Sequence, residues 1–239
     1  MTKKDTLLVH SVSANTLNNA SKFSHNSIQG HHHSAFGIEY AADAGKLRWA
    51  MTCGCLLDPD SVAARYMSGN VLKRPILGCA ILATAKTQCK NTLVIPDLHL
   101  PYQHKDSFKF LSEVYYQYGC EEVLCTGDLF DHHQGSYHEA EPDAPDAEQE
   151  YQLAKKMALE LEILFPEMII VTGNHDNIPK RKMKSVGLPY SMVSDYNALY
   201  GLAGGWEWKS KHYFNSDGAA PVLIPMELKA NGRWSGRIT

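Results

Sequence analysis

No stretch of the 239-residue chain is apolar for the eighteen or so residues a membrane span needs, so a membrane is not expected among its partners. The first ten residues, MTKKDTLLVH, carry two lysines but no apolar core of signal-peptide length, and the expectation is a cytoplasmic protein. The formal net charge of −3 excludes a global basic field of the kind that announces a nucleic-acid binder. Six cysteines (Cys53, Cys55, Cys79, Cys89, Cys120, Cys125) include no C-x-x-C pair, and in a chain this long without a secretion signal they do not read as a disulfide framework. The segment WAMTCGCLL reads instead as a buried strand with small residues. Repeats and low-complexity linkers are also missing, and 44% apolar with 21% charged residues is ordinary for a globular chain. The length favours one large domain spanning 1–239.

What the chain has in excess is histidine, twelve residues, three of them consecutive at His31-His32-His33. That run is internal, follows Gly30 and leads into an apolar segment, which is not how a purification tag sits. By itself it reads equally as a polar loop or as half of a metal site.

Three short β-rich runs, 91–101, 120–133 and 167–177, each end in a polar cluster. Helical periodicity fills the gaps: KDSFKFLSEVYYQYG in the first, and in the second a helix capped by Asp146 with Gln149 and stopped at Pro166. The order β-α-β-α-β over 91–177 argues for parallel strands with helices on the faces, hence an α/β fold. Residues 35–83 contain short strands and a weak helix near 59–67, and the tail 219–239 looks like a hairpin turning at Asn231-Gly232.

In such sheets ligands gather at the carboxyl ends of the strands. There the sequence places Asp97 with His99, Asp128 after Gly127, and Asn174 with His175 after Gly173. An Asp at a strand end usually caps a helix. Two Asp, one Asn and two His in one βαβαβ unit are hard to explain as caps, and a carboxylate with an imidazole can chelate a divalent ion.

Asp97-x-His99, Gly127-Asp128-x-x-Asp131 and Gly173-Asn174-His175-Asp176 resemble the first three signature motifs of the calcineurin-like metallophosphoesterases. Val9-His10-Ser11 and Gly30-His31-His32-His33 are similar to the two histidine motifs that complete that family's site. The resemblance departs in order, because motifs that come last in the family come first here. It implies a circularly permuted arrangement in which 6–86 is a relocated C-terminal segment, 91–218 is the core and 219–239 is the remaining tail. Likeness to phage-encoded members suggests a viral source. The implied fold is a four-layer α/β/β/α metallophosphoesterase sandwich, with the site completed within one chain in preference to a swapped dimer; monomer and dimer both remain open.

The resemblance also implies two divalent metal ions, one held by Asp97, His99, Asp128 and His33, the other by Asp128, Asn174, His10 and His31, with Asp128 between them. Mixed nitrogen and oxygen ligation suits Mn²⁺, Fe or Zn²⁺, and Ni²⁺ is a further candidate; family grounds favour Mn²⁺. His175 would assist the leaving group, Asp131 would orient a ligand, and Asp176 would either hold the His175 ring or cap a helix. His132, His133 and His138 would line the substrate cleft or lie on the surface. Arg181 and Lys182, within KRKMK, would contact phosphate or a nucleic-acid backbone unless they form a solvated face. Trp206, Trp208 and Tyr213 read as packing residues. The implied activity is metal-dependent hydrolysis of phosphate esters, with phosphodiesters (nucleic acid among them) favoured. A phosphomonoesterase acting on phosphoprotein or nucleotide is the near alternative, and a non-catalytic metal-stabilised interaction module the distant one.

Overall fold

The computed structural model describes residues 4–227 apart from 12, 14, 44–45, 69–73, 85–89, 137–140, 142, 194 and 217. In chain order the elements are β1 (Thr6–Val9), α1 (Thr16–Phe23), β2 (Asn26–Gln29), β3 (Phe36–Asp43), β4 (Lys46–Cys53), α2 (Val62–Ser68), β5 (Gly78–Ala83) and β6 (Asn91–Ile95). They continue with α3 (Ser107–Gln117), β7 (Cys120–Cys125), α4 (Ala147–Leu164), β8 (Met168–Val171), α5 (Ile178–Ser185), α6 (Tyr196–Tyr200), β9 (Trp206–Lys209), β10 (His212–Phe214) and β11 (Ala220–Pro225).

The strands form two mixed sheets, ordered β10-β1-β2-β4-β3 and β11-β5-β6-β7-β8-β9. The first is parallel in its middle, β1-β2-β4, with antiparallel strands at both edges; in the second β6-β7-β8-β9 are parallel out to the edge, and β5 and β11 add antiparallel on the other side. Alternation along the strands builds two apolar layers. Val94, Leu124 and Val171 face Leu8, Ile28 and Met51 of the other sheet. Their neighbours Leu93, Ile95, Val123, Cys125 and Ile170 turn the opposite way, onto Phe110, Leu111 and Val114 of α3 and Ala158 and Leu161 of α4. Helix α1 lies against β2, β3 and β4 on the outside of the first sheet. The result is the expected α/β/β/α sandwich.

The βαβαβ run falls where periodicity put it. Helix α4 begins with a full capping box, the Asp146 side chain accepting from Gln149 N while the Gln149 side chain accepts from Asp146 N, and ends before Pro166. The N-terminal stretch is more regular than expected: β3 and β4 pair over eight residues each, and α2 occupies Val62–Ser68. In the tail, β11 pairs antiparallel with β5, and the hairpin turn expected at Asn231-Gly232 lies outside the described residues. Cys53 and Cys55 are buried, as a strand reading requires, and burial raises both thiols far above their ordinary range. Trp206 is buried with its indole N–H on the Phe165 carbonyl, while Trp208 and Tyr213 are half-buried.

Candidate metal centre

The carboxyl ends of the parallel strands of both sheets meet at one edge of the sandwich. His10 follows β1, His31 and His33 follow β2, Asp97 and His99 follow β6, Asp128 follows β7, and Asn174 and His175 follow β8. Asp97 and His99 do not converge through strand alternation, since β6 ends at Ile95. They converge because His99 is left-handed, with φ 55°. His31, Asp128 and His132 share that conformation, at φ 67°, 47° and 52°. Four of the five non-glycine residues with positive φ among the described residues thus sit at this edge, where strain concentrates in functional sites. Glycines make room for the approach: a Cβ on Gly30 would strike Asp97 Oδ1 and Thr126 Oγ1, and one on Gly173 would strike Asp128.

Two ligand clusters result. In the first, His10 Nε2 lies 2.9 Å from Asn174 Oδ1 and 3.1 Å from Asp128 Oδ2, with His31 completing the group. In the second, His33 Nε2 lies 3.2 Å from both His99 Nε2 and Asp97 Oδ2. Asp128 Oδ2 also stands 4.0 Å from His99 Nε2, so one carboxylate oxygen faces both clusters. Hydrogen bonds behind the imidazoles set their tautomers. His10 Nδ1 donates to the Thr126 carbonyl at 3.0 Å and His99 Nδ1 to Asp131 Oδ1 at 2.6 Å, which leaves both Nε2 atoms aimed at the centre. Asp97 is held by Thr126 Oγ1 at 3.0 Å and His31 N at 2.6 Å. Convergent imidazoles and buried carboxylates, with His10, His99 and Asp97 braced from behind, fit divalent cations.

The electrostatics point the same way. Burial opposes charge on His10, yet Asp128 and Asp97 outweigh it and push the imidazole up to about 10. Burial would raise Asp128 and Asp97, but His10 holds both carboxylates below their ordinary range. Burial, together with the neighbouring His10, lowers His31, and burial lowers His99. With the acids ionised, protons stand on His10 where cations would stand.

His175 lies beside the clusters, its ring edge-on to His99 at 4.7 Å. Its Nδ1 donates to the Asp131 carbonyl at 2.8 Å and sits 3.3 Å from Asp131 Oδ1. Despite burial, the Asp131 hydrogen bond and the Asp128 charge push it up to about 9. This corrects the place given to Asp176. Its carboxylate neither holds the His175 ring nor caps α5; its oxygens accept from Phe130 N at 3.0 Å and Gly173 N at 2.8 Å, tying two loops together. The ring is held by Asp131.

His132 and His133 do not lie on the surface: both face inward, and His132 lines a cavity beside the ligand clusters. His132 bridges the His175 carbonyl at 3.1 Å and the Tyr200 hydroxyl at 2.8 Å, and His133 is buried beside Asp131. His138 lies outside the described residues. Arg181 and Lys182 are exposed on α5, and Arg181 Nη2 donates to the Asn174 carbonyl at 3.3 Å. Thr126 was not singled out from the sequence, though it directly precedes Gly127-Asp128. Glu150 escaped as well, because on α4 it reads as one more charged residue of a solvated first turn.

A search of curated proteins and one of solved structures return no match. A family model, calcineurin-like phosphoesterase, matches residues 90–229, more than half of the chain. That span holds Asp97, His99, Asp128, Asn174 and His175, while His10, His31 and His33 reach the same centre from outside it. The chain belongs to the calcineurin-like phosphoesterase family and so to the metal-dependent hydrolases.

Proposed function

We propose that the protein is a binuclear metal-dependent phosphodiesterase, with Mn²⁺ the favoured ion on family grounds. The observation that carries the reading is Asp128 Oδ2, placed between the cluster of His10, His31 and Asn174 and the cluster of His33, Asp97 and His99. Two cations held close together require a shared anion between them. When bound, such ions supply a water that gives up its proton near neutral pH and they neutralise charge on the phosphoryl oxygens.

The chain's own residues do the rest. His10 and His99 present Nε2 lone pairs fixed by Thr126 and Asp131. His175, protonated at neutral pH and with Nδ1 committed to Asp131, has its Nε2–H left to protonate the leaving oxygen. Asp131 therefore serves two rings, one ligand and one acid.

The test is hydrolysis of bis-p-nitrophenyl phosphate against p-nitrophenyl phosphate by Mn²⁺-loaded protein. Faster turnover of the diester is expected. Faster turnover of the monoester would reverse the preference, and no turnover of either with any divalent ion would leave a metal-binding module.

A further inference from the structure

Beside the ligand clusters lies a cavity of about 200 Å³ that plays no part in holding cations. It is enclosed by α4, the loop after Asp131 and the first turn of α5. Its walls are aromatic: Phe130, Tyr151 and Tyr200, with the Phe130 and Tyr200 rings stacked at 3.7 Å. Into this apolar space comes one buried carboxylate, Glu150, which is 5% exposed. Its oxygens accept from His133 N at 2.6 Å and Gln134 N at 3.2 Å. A carboxylate has about four lone-pair sites, so acceptor capacity remains. Among the described residues no cation pairs with it, and burial pushes it up to about 7. A buried carboxylate in apolar surroundings is costly unless something donates to it. Lys182 lines the same cavity, which disfavours an amine ligand and favours one carrying an anionic group.

We propose that this cavity is a base subsite: it takes the planar nitrogen heterocycle of a nucleotide, with a ring or exocyclic N–H donating to Glu150 and a phosphate near Lys182. Size agrees, since roughly 150 Å³ already admits benzene. Aromatic walls suit the faces of any base, and a Glu side chain is a natural acceptor for an exocyclic amine. The link to the centre is short. His132, in the cavity wall, directly follows Asp131 and hydrogen-bonds the carbonyl of His175. The inference rests on the phosphodiester reading and narrows its substrate class to nucleotidyl esters.

Calorimetric titration of the Mn²⁺-loaded protein with AMP and with ribose 5-phosphate separates base from phosphate. AMP should bind at least about tenfold tighter. Ala147 is exposed and lines the cavity, so Ala147→Phe should plug it without disturbing the core. In that variant AMP should fall to the level of ribose 5-phosphate, while hydrolysis of bis-p-nitrophenyl phosphate stays unchanged. Equal binding of the two ligands by the unaltered protein, or an AMP preference that survives Ala147→Phe, overturns the base subsite and leaves the phosphodiesterase reading standing. Loss of bis-p-nitrophenyl phosphate turnover in the unaltered protein would remove that reading and leave the AMP comparison to be judged alone.

Discussion

The two sheets supply the centre with different chemistry. From the first, built on β1, β2 and β4, come imidazoles alone: His10, His31 and His33. From the second come all the carboxylates, Asp97, Asp128 and Asp131, with His99, Asn174 and the non-ligand His175. Acids at the ends of β6 and β7 are packed so closely that only counter-charge makes the arrangement stable, and the facing sheet brings groups that are cationic or ligating as required. The division teaches that neither sheet has a site alone: one holds excess negative charge, the other neutral or positive donors. The family match covers the acidic half.

The comparison is broken most severely from the acidic side. Asp128→Asn removes the shared anion, and an amide cannot hold two cations together. Turnover should fall on the order of 10³-fold or more, the several kcal/mol that paired cations contribute, and metal analysis should find at least one ion lost. Full occupancy with a near-normal rate would end the two-ion assignment.

His175→Ala tests the acid rather than the ions. Metal content should hold while turnover drops by roughly 10²–10⁴-fold. The loss should shrink for esters with good leaving groups; an equal loss for good and poor ones would reduce His175 to electrostatic support.

From the imidazole side the damage should be smaller. His33→Ala removes a ligand of one cluster only, so the rate should fall with metal retention and recover as Mn²⁺ is raised. A loss that no Mn²⁺ concentration recovers would mean that the halves are not divided in this way.

Glu150 offers a milder probe. Its folded value, about 7, is above the ordinary 4.5, so the stability it contributes is present below about pH 4.5 and lost as pH rises through 7. The advantage of the unaltered chain over Glu150→Gln in denaturant melts should decline across that window. An advantage constant with pH would show that burial does not raise Glu150.

The least effect is expected from re-ordering the gene as 88–218, 6–86, 219–239. Both new joints would link neighbours, as short connections do. Asp5 N donates to the Phe214 carbonyl at 3.0 Å and Asp5 Oδ1 accepts from Ser216 N at 2.8 Å, while Ala83 sits opposite Ala220. These contacts make both new joints short, as the permuted reading requires. A re-ordered chain that folds but takes up no Mn²⁺ would remove it.

The acidic half was legible because its strands are apolar runs and its ligands follow glycines at their ends. Alternation showed the strands, the Asp146–Gln149 pair showed α4, and the family motifs pointed to the candidate ligands that the fold brings together. What stayed hidden depends on three-dimensional neighbours. Asp131 and Asp176 are both carboxylates near His175, and only the loop geometry decides which one reaches the ring. His132 and His133 look like surface polar residues until the left-handed turn at His132 carries them inward. β11 shows a strand's pattern, but nothing local tells that its partner is β5, 137 residues earlier by the pairing of Ala83 with Ala220.

The edge strands β10 and β11 bear on how the protein is made. Each sheet is completed by a strand from the last part of the described chain, β10 beside β1 and β11 beside β5. On the ribosome His10, His31 and His33 emerge first and wait for Asp97, Asp128 and Asn174. Neither layer can close before residues 212–225 have left the exit tunnel. Metal acquisition is thereby deferred until the later ligands have emerged, and a nascent chain shorter than that carries three histidines but no trap for a cation.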